Sequence, residues 1–408
     1  MGSSTRTLAA LGLALLLALP LPGAELAQVT QVTVDDFLNA WGPDHPAWIA
    51  LEDDLGRARA AQIEASLWEN PELLWNHEAP GDDLRETILA LSWRPPLDGR
   101  RSLAVDAAEA GVQAARSELA ARRLERELEM RRVFATWAVA HQRVERLELR
   151  AETLDRLLER TRHRRDEGET SGLQARRLEL ARLKLEGELV DAETIRDATR
   201  SAARTWNPGV APDAVPVIPR LPELPPSPRD PGSHPLLQAL GAELEQARLE
   251  GKLARRIFRF PDLTLGVQRV DDGPQRLEGA TYGLTWSLPL FDRNQADRAA
   301  AEAAAESLKA RLRWTTRDLE RRDETTRAAY ARLRRAASSA RALLADLDRM
   351  VESATTAFQL GEGDLTDLLD TLRAAAEAED TALDLHAEAL AAHRRWLRLQ
   401  PTTPGDMP

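Results

Sequence analysis

Two aspartates, Asp367 and Asp370, are the residues of this chain best placed to do chemistry. A spacing of three puts both carboxylates on one face of a helix, where they would attract cations. Acidic residues in a first helical turn are also commonplace, because they complement the helix dipole. Gln174 and Arg177 stand at the matching positions 193 residues upstream. The chemistry that these residues offer is electrostatic.

Catalytic and metal-binding patterns are missing from the rest of the sequence. We find no phosphate-binding loop, no nucleophile elbow and no plausible catalytic triad. The seven histidines have no metal-binding spacing, and the absence of cysteine excludes thiolate sites and disulfides. The sequence therefore predicts a protein that is not an enzyme and that needs no cofactor and no metal.

The N-terminus predicts export. Residues 1–24 read as a secretory signal, with Arg6 before an apolar run from Leu8 to Leu19 and with Pro20 to Ala24 after it. The alternative, a membrane anchor, needs ~20 apolar residues, and this run is too short. Without cysteine there is no lipid anchor at the cleavage point, so any membrane attachment must come from the fold.

Composition narrows the class of protein further. The chain has 55 basic and 66 acidic residues, a net charge of -11, which makes nucleic acid an improbable partner. Aromatic residues are 4% and charged residues 30% of the chain. This is the balance of long helices in a coiled coil.

The sequence contains an internal repeat. His45-Pro46 recurs as His234-Pro235, and the offset between the copies settles at 193, as Gly168 and Gly361 show. The chain is therefore two copies of one helix-strand-strand-helix-helix unit. The predicted divisions are a signal peptide (1–24), a first repeat (25–206), a Pro-rich mid-height linker (207–233), a second repeat (234–400) and a short tail (401–408).

Helix lengths constrain the architecture. Residues 99–167 and 294–360 contain no proline and carry apolar residues at a sustained coiled-coil spacing, so each predicts one helix ~100 Å long. The other predicted helices are about half as long, at 45–69, 173–206, 234–259 and 365–400. We infer a layer of side-by-side helical rods. Half of the rods are single long helices, and each of the others is two shorter helices that meet end to end halfway along the layer, which we call mid-height. The Pro-rich linker would lie at mid-height, where it would be extended and solvated. The alternative is that the linker separates two independent domains.

Two predicted strand pairs lie between the helices. Residues 263–268 and 280–288 alternate apolar and small polar side chains, with a polar loop at 271–279, and the first repeat is a weaker version of the same pattern. Such strands are typical of a transmembrane β-barrel with a water-filled interior. Four strands are too few to close a barrel, and open sheet edges are not tolerated in lipid. A soluble sheet capping a helical stalk is the alternative. Aromatic residues predicted near strand ends favour a membrane interface: Trp75, Trp93, Tyr282, Trp286 and Phe291.

The pattern resembles the TolC-like family of outer-membrane efflux proteins over essentially the whole exported chain. The resemblance rests on the duplicated unit, the His-Pro helix starts, the Pro-Asp-Leu-Thr-Leu-Gly strand at 261–266 and the turn at 288–295. That turn is most similar to the outer-membrane components of cobalt-zinc-cadmium type cation efflux systems. The resemblance implies a homotrimer, with a trimeric α-barrel crossing the periplasm and a 12-stranded β-barrel in outer-membrane lipid. It also implies a periplasmic adaptor and an inner-membrane pump as partners.

The resemblance assigns roles to the helical turns and to the two aspartates. The turns would form a periplasmic tip where the adaptor docks, through Gly168, Ser171, Gly172 and Leu173 and through Gly361, Gly363, Asp364 and Leu365. The alternative is that their glycines serve geometry alone. Asp367 and Asp370, with Gln174 and Arg177 opposite, would line a pore constriction, and an Arg177–Asp370 pair would hold it shut.

The predicted function is a passive exit duct for heavy-metal cations in a tripartite pump. Two alternatives remain at this stage. A duct for drugs or for type I secretion has the same scaffold. A periplasmic coiled-coil scaffold that never inserts would explain the helices, although such an adaptor ordinarily carries one helical hairpin flanked by β domains.

Overall fold

A computed structural model of the protein describes residues 30–400 except 40–44, 80, 82–83, 169–170 and 226–230. The predicted signal peptide and tail lie outside the described residues. The helices are α1 (Val34–Asn39), α2 (Pro46–Ile49), α3 (Asp53–Ser66), α4 (Arg100–Asp166), α5 (Gly172–Trp206), α6 (Pro235–Arg255), α7 (Gln295–Leu360) and α8 (Leu365–Leu397). The strands are β1 (Gln31–Val32), β2 (Glu72–Glu78), β3 (Leu84–Trp93), β4 (Val215–Pro216), β5 (Asp262–Asp272) and β6 (Gln275–Thr285).

The duplicated unit is confirmed. The order α3-β2-β3-α4-α5 recurs as α6-β5-β6-α7-α8. Of the two long helices, α4 packs against α3, α5, α6 and α8, whereas α7 packs against α6 and α8. The shorter helices are therefore stacked in pairs beside the long ones. At one splice His234, the N-cap of α6, places its Nε2 atom 3.1 Å from the carbonyl oxygen of Arg398, at the end of α8.

The apolar spacing of α4 buries one side of the helix along most of its length. The predicted positions are buried: Val133, Trp137, Ala140, Val144, Leu147, Ala151, Leu154 and Leu158. The corresponding stripe of α7 is less covered, and Tyr330, Ala337 and Phe358 are its buried members. The difference follows from position, because α4 has neighbours on both sides and α7 lies at the edge of the layer.

The helix predicted at 45–69 is broken. A short α2 ends at Ile49, and α3 begins at Asp53. Acidic residues at the break pair with α4: Glu52 lies 2.5 Å from Arg123, and Asp54 lies 2.5 Å from Arg122. Carboxylates at a helix start also complement its dipole. The new helix start is thus stabilised by tertiary ion pairs.

The mid-height linker is packed against the helices, not solvated as predicted. We call residues 30–39 and 207–225 the belt. Strand β1 pairs in parallel with β4, and Phe37 is fully buried against Phe134, with ring centroids 5.4 Å apart. Belt proline carbonyls accept hydrogen bonds from helix side chains: Arg200 to Pro212 (3.1 Å), Tyr330 to Pro222 (2.6 Å) and Arg327 to Pro225 (2.5 Å). Because proline lacks an N–H group, such a segment forms few ladders of its own and offers its carbonyls to neighbours.

The four long strands form one antiparallel sheet in the order β2-β3-β5-β6. Leu73, Leu91, Leu265 and Tyr282 form one continuous row across it. Leu265 is 68% exposed and Tyr282 84% exposed, so this apolar face is uncovered in the protomer. The predicted loop at 271–279 is instead a tight turn at Gly273, whose φ is +54°, and both strands extend to this turn. At its other end β6 stops at Thr285, short of the predicted Leu288.

No helix within the described parts of the chain is both long enough and apolar enough to cross a membrane.

Gly266 allows the close approach of β3 and β5. A Cβ atom there would lie 2.6 Å from the Cβ of Ala90 and 2.5 Å from the carbonyl oxygen of Leu89. We expect Gly266→Ala to destabilise the sheet by about 1–3 kcal/mol through overpacking. Gly279→Ala is the matched control, because nothing lies within 4 Å of its added carbon. Thermal unfolding in detergent measures both; equal midpoints for the two variants would contradict the expectation.

We expect the buried histidines at mid-height to make the folded protein less stable in acid. Burial lowers the pKa of His234, His386 and His393, and it lowers that of His393 to about 4, with Arg131 and Arg394 adding to the effect. A depressed pKa means that the stability is present above pH ~6.5 and is lost as the pH falls through the folded value. For His393 the loss is on the order of 3 kcal/mol.

Replacing His393 with phenylalanine should keep the ring contacts with Tyr330 and Trp396 and remove the titration. We therefore expect a smaller drop in melting temperature between pH 7.5 and pH 4.5 than in the wild type. The same replacement at exposed His163 is the control. An unchanged drop in the His393→Phe protein would show that other groups cause the acid sensitivity.

Candidate functional site: the helical tip and the apolar sheet

The turn after α7 is built by glycine. Gly361 has a φ of +78°, and the Ala357 carbonyl accepts hydrogen bonds from the backbone N–H groups of Glu362 (2.9 Å) and Gly363 (3.1 Å). This arrangement satisfies carbonyl groups that a helix end otherwise leaves unpaired. Gly168, at the end of α4, has a φ of +83°. Both tip turns therefore require a residue that tolerates the left-handed region.

The two turns differ in how they start the next helix. Asp364 caps α8, because its Oδ2 atom accepts a hydrogen bond from the Thr366 backbone N–H at 3.1 Å. Hydrogen bonds from the side chain and backbone of Thr366 lower the pKa of Asp364, and Arg177 adds a smaller effect. Ser171, at the equivalent position before α5, makes no side-chain cap. Of these two equivalent residues, only Asp364 caps its helix.

One apolar cluster joins the two helical hairpins directly behind the tip. Leu365 and Leu368 of α8 are 1% exposed and pack with Leu178 of α5 and Phe358 of α7. Leu173, the counterpart of Leu365 in the first repeat, is 63% exposed. Of the two leucines predicted to dock a partner, only Leu173 presents its side chain at the surface of the protomer.

Both candidate carboxylates lie exposed in the first turns of α8. Asp370 pairs with Arg373, Oδ1 to Nη1, at 3.1 Å. Arg177 reaches the earlier turn, where its Nη1 atom donates to the Thr366 hydroxyl at 3.2 Å. The predicted Arg177–Asp370 pair is therefore not formed within one protomer. Gln174, the other predicted partner, is half-buried.

Among the residues that the structure describes, no group of three or more histidines and carboxylates could hold a metal ion. The tip carboxylates therefore form an exposed electrostatic feature.

Aromatic pairs mark the junction between the sheet and the helices. Trp93 stacks on Trp68 at 5.5 Å, and its Nε1 atom donates to the Glu69 carbonyl at 3.1 Å. Trp286 meets Phe258 edge-on at 5.4 Å. The sequence analysis missed Trp68 and Phe258. Their signal was available, because they are related by the same offset of 190 that relates Asn70-Pro71 to Phe260-Pro261.

The other three predicted interface aromatics lie in different places. Trp75 pairs with Leu89 in mid-strand, and Tyr282 pairs with Leu265, so both belong to the apolar face and not to a strand end. Phe291 follows β6 and is 91% exposed. Tyrosine and tryptophan on an exposed apolar face are typical of surfaces that meet lipid.

The similarity to known proteins agrees with this architecture. Residues 232–399 match the family model of the outer membrane efflux proteins. This match covers the second repeat. Over 341 residues, 79% of each chain, the protein is 24% identical to the cobalt-zinc-cadmium resistance protein CzcC of Cupriavidus metallidurans.

Solved structures share the fold of both repeats. The TM-score to the crystal structure of CusC is 0.72 at 15% identity, covering 90% of each chain. The open state of the MtrE outer membrane channel of Neisseria gonorrhoeae gives 0.72 at 15% identity, covering 90% of this chain and 88% of that one. The predicted TolC-like resemblance is confirmed. The proteins to which this chain is similar are outer membrane efflux proteins and channels.

The cap at the tip gives a testable asymmetry between the repeats. We expect Asp364→Ala to destabilise the start of α8, because a first-turn N–H of that helix loses its acceptor. Ser171→Ala should change stability little, because that side chain makes no cap. Hydrogen exchange of the first turns of α5 and α8 is the measurement. Equal loss of protection in the two variants would contradict the assignment of the cap.

Proposed function

We propose that this protein is the outer-membrane exit duct of a tripartite efflux pump and passively conducts heavy-metal cations from the periplasm to the exterior. The observation that carries the proposal is the exposed apolar face of the β2-β3-β5-β6 sheet, attached to helices ~100 Å long. A bilayer core is ~30 Å thick, so the helices extend far beyond the membrane that the sheet would occupy.

The sheet supports association into a closed barrel. Within the described residues of one protomer, β2 and β6 are edge strands. Lipid does not tolerate open sheet edges, so β2 of one copy would pair with β6 of the next. With four strands from each of three protomers, as in the family that the chain resembles, the barrel has twelve strands.

The edges of the helical layer support the same assembly. Helix α5 exposes Leu180, Leu183 and Val190 at coiled-coil spacing. Helix α7, at the opposite edge, exposes Leu343 and Met350. Packing α5 of one protomer against α7 of the next would cover both stripes and close the tunnel of a homotrimer. The predicted signal peptide (1–24) would deliver the chain to the periplasm, where the tunnel extends.

The tip would contact a periplasmic adaptor and, through it, an inner-membrane pump. The exposed side chain of Leu173 supports docking at the turns. Asp367 and Asp370 are exposed beside the tip, and three copies would place six carboxylates around the axis. Their charge and the similarity to a cobalt-zinc-cadmium resistance protein support cations as cargo. Arg177 and Gln174 would then flank the constriction.

The alternatives are a duct for drugs or type I secretion and a periplasmic scaffold. The exposed apolar sheet disfavours the scaffold, because a soluble protein rarely leaves a patch of this kind uncovered.

Metal tolerance of a strain that lacks the gene tests the proposal. We expect sensitivity to zinc, cobalt or cadmium, restored by the wild-type gene and restored less well by the double variant Asp367→Asn, Asp370→Asn, because the cation-attracting charge is lost. Asp346→Asn, an exposed carboxylate on α7, is the matched control.

Other outcomes identify the alternatives. Sensitivity to dyes and detergents without metal sensitivity would indicate a drug duct. Wild-type protein that is absent from the outer-membrane fraction and shows no heat-modifiable migration would indicate a scaffold. Full metal tolerance with the double variant would remove the carboxylate ring from the proposal and leave the duct in place.

A further inference from the structure

The belt covers a cavity of about 410 Å³ at mid-height. Its walls come from α4, α8 and both segments of the belt. Most of the wall is aliphatic and includes Val34, Ala135, Val217, Ile218, Leu390 and Leu397. A cavity of this size and character can hold a small organic molecule. The cavity lies within one protomer, so its walls do not depend on how protomers associate.

The polar part of the wall is cationic. Arg131, Arg220 and Arg394 line the cavity, and Asp35 is the only carboxylate among its lining residues. Arg131 is already paired with buried Glu127 at 3.2 Å. Within the described residues the Arg394 side chain is at neither end of a direct hydrogen bond or ion pair, and Glu129 acts on its charge from a greater distance. Burial lowers its pKa to about 10, so the guanidinium is still charged at neutral pH.

His393 provides a second group without a partner. Its side chain is 6% exposed and lies between the rings of Tyr330 (5.2 Å) and Trp396 (5.7 Å). Its buried Nε2 atom has no hydrogen-bond partner in the described part of the chain. Buried polar atoms are rarely left unpaired, since each costs free energy. The imidazole and the Arg394 guanidinium follow one another in sequence and line the same cavity.

We propose that this cavity binds a small organic anion, with its carboxylate against Arg394 and His393 and its apolar body between the belt and α8. A hydrogen bond between the carboxylate and the Arg394 guanidinium would be charge-assisted and therefore strong. The His393 ring, as a neutral Nε2–H tautomer, would donate a second hydrogen bond. Val217, Ile218 and Leu390 would cover the remainder of the ligand. The proposal for this site does not depend on the proposed conducting function.

Benzoate is a suitable probe, because it combines one carboxylate with an apolar ring. Full-length protein in detergent at pH 7.5 would be titrated by calorimetry with benzoate, with uncharged benzyl alcohol and with inorganic phosphate. We expect saturable binding of benzoate alone. Arg394→Gln should weaken it about tenfold or more, as expected for the loss of a charged hydrogen bond. Arg395→Gln is the matched control, because that neighbouring arginine does not line the cavity.

Arg220→Gln gives an independent readout if Arg394→Gln fails to fold, since Arg220 is exposed on the belt. It should weaken benzoate binding severalfold. The proposal is overturned if the wild type shows no saturable binding or if Arg394→Gln or Arg220→Gln binds as tightly as Arg395→Gln. Equal binding of benzyl alcohol would overturn the role of the charge, and binding of phosphate alone would overturn the organic ligand.

Discussion

A layer of helices ~100 Å long has no common centre, so every apolar contact must be made locally, along narrow seams. The buried residues accordingly fall into separate clusters. One lies behind the tip around Leu178 and Leu365, one at mid-height around Phe37 and Phe134, and one towards the sheet around Leu55 and Val112. Helix α4 contributes to all three. Because α4 is the long helix with partners on both sides, the order of the other rods depends on its apolar surface.

The mid-height splice follows from the same constraint. Helices of about half length can cover α4 only if two of them meet end to end, and each helix end leaves backbone groups unpaired. The belt lies where these ends meet and contributes Phe37 and a series of proline carbonyls to the packing. His234, His393 and Arg394 lie at the same junction, on the ends of α6 and α8.

Duplication gave two copies of one unit, and position in the layer made them different. Leu365 lies in the apolar core, whereas its counterpart Leu173 lies on the surface. Asp364 caps its helix and Ser171 does not. Helix α7 keeps an apolar stripe that its own protomer covers only in part, whereas the same stripe of α4 is buried. Each difference concerns a surface at the edge or the end of the layer, where a second copy or another protein could bind.

The sequence by itself determined the elements and their periodicity. Proline-free runs with coiled-coil spacing fixed α4 and α7 almost to the residue, and the alternation at 263–268 fixed the face of β5 that carries Leu265. These properties are local, since they depend on neighbours three or two positions away. The sequence did not determine which surfaces of these elements pack against each other. Four features depend on contacts between residues far apart in the chain. They are the helix break before Asp53, the packing of the belt, the hydrogen bond from Arg177 to Thr366 rather than to Asp370, and the cavity at Arg394. The tertiary structure decided them, because the energy of an ion pair or a buried charge depends on distance and burial in three dimensions.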